Sequence, residues 1–279
     1  DVPLVFTKSS VYSRVHRRGY SDYILMKRYD SKGNIIGEYR FMGLYASPVY
    51  KLSPFSIPMI REKVKQVMKL PDLIPGSHGD KALRQIIDIH PRDELFHSSV
   101  EELYDTLISI WQINERRLVR MYIRPDPFEK FVSCIVYMPR DIYTTDIRLQ
   151  IEELLKDELD STECEFTTLF SESILARTHF ILKITSDRYR QIDRKAIEKR
   201  VIQFTRNWYD DLVDAAVEHW GSDKGREIAN SYRGKFPSSY RDNFAPKIAI
   251  KDIELFASLE LDDELAMSFY QPAGGAKNV

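Results

Sequence analysis

The stretch Phe131-Val132-Ser133-Cys134-Ile135-Val136-Tyr137 decides the fold class, because almost all of its residues are apolar. Such a run is typical of a central β-strand that helices cover on one side. The segment before it, Leu118 to Arg124, alternates apolar and polar residues, which predicts a half-buried strand. The segment after it begins a helix at Tyr143-Thr144-Thr145-Asp146, where a threonine can cap the first turn.

The chain continues with two further predicted strands and a long helix. The strands cover Glu163 to Phe170 and Ile174 to Ile184, and the helix runs from about Asp193 to His219. From Phe131 onward the order is therefore β-α-β-β-α, with an extra strand ahead of it. This order predicts an α+β fold of the ferredoxin-like kind, an antiparallel sheet under two helices, which is the arrangement of ACT domains.

A β-hairpin is predicted near the start of the chain. Tyr23 to Tyr29 and Ile35 to Tyr45 flank Asp30-Ser31-Lys32-Gly33-Asn34, a turn cluster in which Gly and Asn tolerate positive φ angles. Leu4 to Lys8 is predicted to be a short strand, and the basic region between Ser9 and Asp22 is predicted to be a loop.

Helices are predicted on both sides of the α+β unit. Three helices are predicted before it. The first begins at Ser56, with Pro58 in its first turn, and the second runs from about Gly79 to Ile89. The third runs from Ser98 to about Gln112 and has a capping box of Ser98 and Glu101. Those after it are expected from about Asp223 to Tyr232, after Ser238, and from Pro246 to Leu259, before a strand-like stretch from Glu264 to Tyr270.

The composition bounds the functional class. The 279 residues correspond to about two domains. Lys plus Arg is 41 and Asp plus Glu is 42, a balance that argues against a general polyanion binder such as a nucleic-acid protein. Cys134 and Cys164 lie in strand-like stretches and are expected to be buried thiols in a reducing compartment. We expect a cytoplasmic protein without a membrane anchor, cut from a longer chain.

Sequence motifs of catalysis are lacking. A dinucleotide site needs closely spaced glycines between a strand and a helix, whereas Gly33, Gly37 and Gly43 are spread through the predicted hairpin. No P-loop, GxSxG or HExxH motif is present. We therefore predict no catalytic and no cofactor-binding residues in this chain.

Two clusters of charged residues have both an ordinary and a functional interpretation. The run from His90 to His97 holds two histidines and two carboxylates, but Pro91 disfavours regular helical spacing of metal ligands at its start. We predict a surface cap with local salt bridges and no metal there. Arg14, His16, Arg17 and Arg18 form a basic cluster that is either a salt-bridging interdomain surface or a contact for nucleic acid.

One loop is a candidate effector site. It comprises Arg140, Asp141, Thr144 and Thr145, between the apolar strand and its helix. Free amides at the helix start suit a carboxylate or phosphate, and the Arg140 guanidinium is a bidentate donor. The alternative is ordinary helix capping, with Arg140 paired to a neighbouring residue.

Many short phrases along the chain resemble one family, the large bacterial NAD-specific glutamate dehydrogenases. The phrases, given by residue number, are 7–8, 13–17, 20–23, 40–45, 57–58 with 61 and 64, 77–78, 81–84, 91–96, 126–128, 131–134, 139–141 with 143 and 145, 206–208 and 267–270. In order and content they are similar to the N-terminal half of those enzymes.

The resemblance implies a parent enzyme that oxidatively deaminates L-glutamate to 2-oxoglutarate and ammonia with NAD. The catalytic domains would lie C-terminal to this segment and would be its partners in the same chain. The N-terminal region of the family carries ACT-like and PAS-like domains with helical pieces and is thought to serve homo-oligomer assembly and regulation. The segment itself would hold no cofactor.

The resemblance also implies a domain division. Residues 1–46 would end a PAS-like β region, 47–115 would form a helical linker, 116–220 would form an ACT-like domain with a long C-terminal helix, and 221–279 would lead into the next ACT-like domain. ACT domains often use a glycine in the first strand–helix loop to admit an amino acid. This chain has Pro139-Arg140-Asp141 there. An amino-acid sensor is therefore an alternative function, and a nucleic-acid-binding module is a second alternative.

Overall fold

The computed structural model describes residues 3–15, 18–71, 73–113, 116–185 and 187–258. These residues form two compact units, which divide between Phe204 and Thr205. The first unit contains two antiparallel sheets and the helices between them, and the second unit is helical. The α+β class is therefore confirmed.

The first sheet contains β1 (Leu4–Ser13), β2 (Gly19–Tyr29) and β3 (Ile35–Gly43), paired antiparallel in that order. The predicted hairpin is confirmed: the Asp30 carboxylate accepts hydrogen bonds from the amides of Lys32 and Asn34 and organises the turn. The prediction of a loop between Ser9 and Asp22 is wrong for most of that range, because β1 reaches Ser13 and β2 begins at Gly19. The strands continue past an irregularity after Lys8, and their polar residues reflect a sheet partly open to solvent.

Five helices follow in the described part of the first unit: α1 (Ser47–Lys51), α2 (Ile60–Lys69), α3 (His78–Ile89), α4 (Arg92–His97) and α5 (Val100–Ile113). The capping box of α5 is one residue later than predicted. Ser99 and Glu102 exchange the two hydrogen bonds, because Ser98 already ends α4 by donating its amide to Glu94. Their core contains Ile60, Val64, Val67, Leu83, Ile87, Leu95, Leu103 and Leu107.

The second sheet has the predicted ferredoxin-like topology. Its elements are β4 (Arg120–Pro125), β5 (Phe131–Pro139), α6 (Thr145–Leu159), β6 (Glu163–Phe170), β7 (Leu175–Lys183) and α7 (Arg194–Thr205). The spatial order β4-β5-β7-β6 is antiparallel throughout, so the strand ahead of the βαββα unit completes the sheet beside β5. The ACT-type arrangement predicted from element order is thereby confirmed.

Both faces of β5 are covered, whereas one covered face was predicted. Val132, Cys134 and Val136 pack against α6 and α7 in one core. Ile135 and Tyr137 point the other way and pack against α5 in another core. The helices that precede the sheet in sequence thus form a second covering layer, which explains why every residue of β5 is buried.

The predicted long helix from Asp193 to His219 is two helices. The first is α7, and α8 (Trp208–Trp220) begins after Asn207. The Asn207 side chain accepts hydrogen bonds from the amides of Tyr209 and Asp210, and the Asp210 carboxylate accepts one from the Asn207 amide. This reciprocal cap starts a new helix, although the apolar periodicity continues across the break.

The second unit consists of α8, α9 (Ser222–Ser231), α10 (Ser238–Asn243) and α11 (Pro246–Ser258). Leu212, Ala216, Ala229, Ala249 and Ile253 are among its buried residues. A Cβ atom at Gly225 would lie 2.4 Å from the Ala216 carbonyl oxygen, so the close packing of α8 and α9 requires glycine there.

The predicted strand from Glu264 to Tyr270 lies outside the described residues. Among the helices of the described ranges, none combines the length and apolar character that crossing a membrane requires.

Candidate functional site

The predicted effector loop lies at an exposed end of the second sheet. Thr144 is the cap of α6, because its hydroxyl accepts a hydrogen bond from the Ile147 amide at 3.1 Å. Thr145 is the first residue of the helix and is exposed. The prediction that a threonine of this loop caps the helix is therefore confirmed.

The two charged side chains of this loop have protein partners. Arg140 donates from Nη1 to the Ser171 carbonyl oxygen at 2.9 Å, and its guanidinium lies 5.7 Å from the centre of the Phe170 ring. Asp141 forms an exposed ion pair with Arg117, which lowers the pKa of the Asp141 carboxyl. A ligand at this loop would have to replace both contacts, and effector binding there stays a prediction.

The run from His90 to His97 is not the surface cap that was predicted. His90 and Glu94 are buried, and the salt bridges of the run reach residues far away in sequence. Asp93 pairs with Lys8 of β1, and Glu94 pairs with Arg124 of β4. Because α4 lies between the two sheets, a segment whose sequence resembles an exposed polar turn is buried against both of them.

We call the resulting set of side chains the central charge cluster. It comprises Lys8, Asp22, Asp93, Glu94, Arg124 and His179. Its residues come from β1, β2, α4, β4 and β7, so it joins the first sheet, the helical layer and the second sheet.

Lys8 connects two carboxylates within the cluster. Its Nζ lies 2.6 Å from Oδ1 of Asp22 and 2.7 Å from Oδ2 of Asp93. Burial alone would lower the pKa of the Lys8 ammonium group. The negative charges of Asp93 and Asp22 have the larger effect and raise this pKa. Burial raises the pKa of Asp22 to about 6, against the attraction of Lys8. Burial also acts to raise the pKa of Asp93, but Lys8 and His97 bring it below its usual value.

Glu94 is held by a bidentate ion pair. Its Oε1 and Oε2 accept hydrogen bonds from Arg124 at 2.7 Å and 2.9 Å. Burial alone would raise the pKa of Glu94, but Arg124 lowers it well below its usual range. Nε2 of His179 lies 3.7 Å from Oε1 of Glu94 and 2.9 Å from the Ser133 hydroxyl. Burial lowers the pKa of His179 to about 4, so this ring is neutral at neutral pH.

A cleft of about 400 Å³ opens beside the cluster, between the first sheet and strands β6 and β7. Lys8, Asp93 and His179 are the lining residues that belong to the cluster. The other lining residues include Tyr12, Arg18, Tyr20, Glu165, Phe166 and Thr167. The cleft therefore presents both charge signs and several aromatic rings, a combination that suits a small polar ligand with an apolar part.

Two further predictions concern metal binding and the basic cluster. In the described ranges, no group of three or more His, Cys, Asp or Glu side chains is arranged to hold a metal ion. Arg14 and Arg18 are exposed, and His16 and Arg17 lie outside the described residues. Nucleic-acid binding by this basic cluster stays a hypothesis.

The central charge cluster is not evident from the sequence, because its members are scattered between Lys8 and His179. One signal could have indicated it. Arg177, Thr178 and His179 follow one another in β7, and polar residues in a strand that is buried on both faces require buried partners.

Comparison with known proteins gives a consistent result. Three family models match consecutive parts of the chain: helical motif 1 of glutamate dehydrogenase at residues 57–116, the ACT2 domain of glutamate dehydrogenase at 120–209, and helical motif 2 of glutamate dehydrogenase at 215–259. The ACT2 match begins with β4 and includes the whole second sheet.

Similar curated proteins carry the same family name. The NAD-specific glutamate dehydrogenase of Halomonas elongata is 41% identical over 266 residues, which cover 95% of this chain and 16% of the relative. That of Pseudomonas aeruginosa is 42% identical over 271 residues, covering 97% of this chain and 17% of the relative. That of Mycobacterium tuberculosis is 30% identical over 281 residues, again with 17% of the relative covered.

The chain thus spans less than a fifth of the length of these relatives, and nearly all of it matches them. The order helical motif 1, ACT2 domain, helical motif 2 is continuous along it. Over nearly its whole length the chain is therefore similar to an N-terminal segment of the NAD-specific glutamate dehydrogenases, and it matches the ACT2 domain and both helical motifs of glutamate dehydrogenase.

Proposed function

We propose that this chain is a non-catalytic regulatory and assembly segment of a cytoplasmic NAD-dependent glutamate dehydrogenase. The parent protein would convert L-glutamate, NAD and water to 2-oxoglutarate, ammonia and NADH. Its catalytic domains, which would bind NAD, are proposed as the partners of this segment within the same chain. The observation that carries the proposal is the ordered match of helical motif 1, the ACT2 domain and helical motif 2.

The architecture supports a role in positioning other parts of a large protein. The central charge cluster ties Lys8 and Asp22 of the first sheet to Asp93 of α4, and Glu94 of α4 to Arg124 of the second sheet. Buried ion pairs contribute less stability than good apolar packing, but they are satisfied in a single geometry. A segment with a fixed geometry suits the alignment of partner domains or subunits.

An assay of the 279-residue chain with L-glutamate and NAD tests the non-catalytic part of the proposal. We expect no NADH formation above that of a heat-denatured sample. In the full-length protein, Arg124→Met should alter the oligomeric state or the response to effectors more than it alters kcat. Sustained turnover by the isolated segment would overturn the proposal.

Amino-acid sensing is a second candidate, and the cleft is the observation that favours it. Arg18 can face a carboxylate, and Asp93 can face an ammonium group. The cleft and the loop of Arg140, Asp141, Thr144 and Thr145 are alternative sites for such an effector.

Calorimetric titration of the chain with L-glutamate and other amino acids distinguishes these sites. Saturable binding that is lost in Arg18→Ala and kept in Arg140→Ala would place the effector in the cleft. The reverse result would place it at the loop. Absence of binding at millimolar ligand would remove the sensing function and leave the assembly function. Arg190→Ala, which removes an exposed arginine paired with Glu129, is a matched control.

A further inference from the structure

Within the central charge cluster, Lys8 is a single ammonium group that contacts two carboxylates. Its Nζ lies 2.6 Å from Oδ1 of Asp22 on β2 and 2.7 Å from Oδ2 of Asp93 on α4. The side chain of Lys8 is 8% exposed, that of Asp22 is 2% exposed and that of Asp93 is 17% exposed. If both carboxyl groups are ionised, this buried group of three side chains carries one uncompensated negative charge.

In the described ranges, the neighbouring side chains do not supply a second positive charge. The charged or titratable neighbours of the two carboxyl groups are Lys8 of β1, Tyr45 before α1, Glu94 and His97 of α4, Arg124 of β4 and His179 of β7. Arg124 is already engaged by Glu94 through two hydrogen bonds. Burial lowers the pKa of His97 and that of His179 to about 4, so both imidazoles are neutral at neutral pH.

Each of the two carboxyl groups keeps one oxygen that no described residue contacts by a hydrogen bond. These oxygens are Oδ2 of Asp22 and Oδ1 of Asp93, and the hydroxyl of Tyr45, which lies near both groups, is likewise unpartnered among the described residues. A buried ionised oxygen without a partner has lost its hydration without compensation. The described residues alone bury these atoms, so further domains of a longer protein would not reach them.

Asp22 is the carboxyl group that favours a proton, because it is the more deeply buried of the two. Burial raises the pKa of Asp22 to about 6, and repulsion by Asp93 adds to that rise against the attraction of Lys8. Burial acts in the same direction on Asp93, but Lys8 brings the pKa of that carboxyl below its usual value. The proton therefore belongs to β2, and the ionised partner of Lys8 belongs to α4.

We propose that Lys8, Asp22 and Asp93 form a proton-binding site, with the proton on Asp22, and that this proton strengthens the attachment of the first sheet to α4. With the proton bound, Lys8 and Asp93 form a balanced ion pair between β1 and α4, and Asp22 is a neutral acid beside it. Release of the proton to solvent leaves two carboxylates, on β2 and α4, that repel each other. This regulation by pH goes beyond the assembly role and does not require it.

The direction of the pH effect follows from the two states of the chain. The usual pKa of an aspartate is 3.8, whereas that of folded Asp22 is about 6, so over this interval the folded state holds a proton that the unfolded state has lost. The stability that Asp22 contributes is therefore fully present below pH 3.8 and is lost as the pH rises through about 6.

NMR spectroscopy of the chain labelled with carbon-13 at its aspartate carboxyl groups measures this proton directly. The Asp22 resonance, identified as the one that is missing from Asp22→Asn, should titrate with a midpoint at pH about 6. In Asp93→Asn the midpoint should move to lower pH, because the repelling carboxylate is gone. A midpoint at or below pH 3.8 in the unmodified chain would overturn the proposal, and so would a midpoint that Asp93→Asn leaves unchanged.

The stability of Asp22→Asn distinguishes a proton site from an ordinary salt bridge. An ordinary salt bridge loses stability when one partner is neutralised, whereas this change imitates the protonated acid and keeps the balanced pair of Lys8 and Asp93. Above pH about 6 it should lower the unfolding equilibrium constant about tenfold or more, and the gain should shrink towards pH 3.8. Asp141→Asn, which neutralises an exposed partner of Arg117, should give no such gain. A loss of stability in Asp22→Asn above pH about 6 would contradict the proposal.

Hydrogen exchange, corrected for the intrinsic effect of pH on the rate, tests the control of the first sheet. In the unmodified chain, protection of the β1 and β2 amides should fall relative to that of the β5 amides between pH about 5 and about 7. In Asp22→Asn the same ratio should stay constant. An equal fall in both chains would show that the proton on Asp22 does not hold the first sheet and would overturn the proposal. The turnover assay described above bears on the parent function separately.

Discussion

Strands β5 and β3 have the same length and opposite surroundings. Each contains nine residues and several large apolar side chains, yet every residue of β5 is buried and β3 is exposed on both faces. This difference in burial comes from the layers that pack on each strand, not from the amino-acid composition of the strands. β5 lies between the helices that follow it and the helices that precede it, while β3 pairs only with β2 in the ranges that the structure describes. Apolar content predicts a strand, and the layers that pack on the strand decide how far it is buried.

The largest expected difference between the two strands is in the cost of removing a phenylalanine ring. Phe131 of β5 is 2% exposed, and Phe41 of β3 is 54% exposed. Phe131→Ala should lower the free energy of unfolding by about 4 kcal/mol, because it leaves a cavity in a packed core. Phe41→Ala should change it by less than about 0.5 kcal/mol in the monomer. Urea denaturation followed by circular dichroism measures both. Equal losses would mean that the layers do not differ as described.

Ion pairs should show the same contrast between buried and exposed positions. Arg124→Met leaves Glu94 buried without its partner and should lower the free energy of unfolding by about 3 kcal/mol. Arg117→Met breaks the exposed pair with Asp141 and should cost less than about 1 kcal/mol. The same denaturation experiment compares them. If Arg117→Met were the more damaging change, the central charge cluster would not join the two sheets.

Acid should weaken the first unit through its buried histidines. Burial lowers the pKa of His90 to about 3, that of His97 to about 4 and that of His179 to about 4, from 6.5 in the unfolded chain. Between pH 6.5 and 4 the unfolded state therefore binds protons that the folded state does not, and stability falls as the pH falls. Asp22 opposes this below pH about 6, because its raised pKa lets the folded state bind one proton first.

Three histidines outweigh one aspartate, so the net result is a loss of stability towards pH 4. Thermal melting over this range measures it. His179→Gln should flatten the profile. A melting temperature that rises steadily as the pH falls from 6.5 to 4 would contradict the assignment.

The smallest expected effect concerns the helix that covers the outer face of β5. Ser99→Ala removes the cap of α5 and should lower the free energy of unfolding by about 1 kcal/mol. Ser98→Ala, at the position that the sequence pattern favoured, removes no cap of α5 and should cost less. Chemical denaturation of both variants shows which serine caps α5. A larger loss of unfolding free energy for Ser98→Ala than for Ser99→Ala would support the predicted capping box of Ser98 and Glu101.

The order of strands and helices was predictable because it rests on local signals. The apolar run of β5, the turn at Asp30 and the alternation before Arg124 each identify an element within a few residues. The break before α8 was missed, although Asn207 and Asp210 have the spacing of a cap, because the apolar face continues through it.

The central charge cluster was not predictable from one sequence, because it depends on contacts between distant segments. Lys8 meets Asp93, and Glu94 meets Arg124, only after both sheets have packed on α4. The effector loop illustrates the converse. Its cap at Thr144 is local and was predicted, whereas the partner of Arg140, the Ser171 carbonyl, lies on a different hairpin.

Hydrogen exchange of the 279-residue chain tests the contrast between the two strands most directly. We predict that β5 amides exchange slowly, because both faces of that strand are covered. The β3 amides should exchange more quickly, because this strand is exposed on both faces and pairs with β2 only in the described ranges. Protection of β3 equal to that of β5 would contradict the account, since the two strands would then not differ in their surroundings.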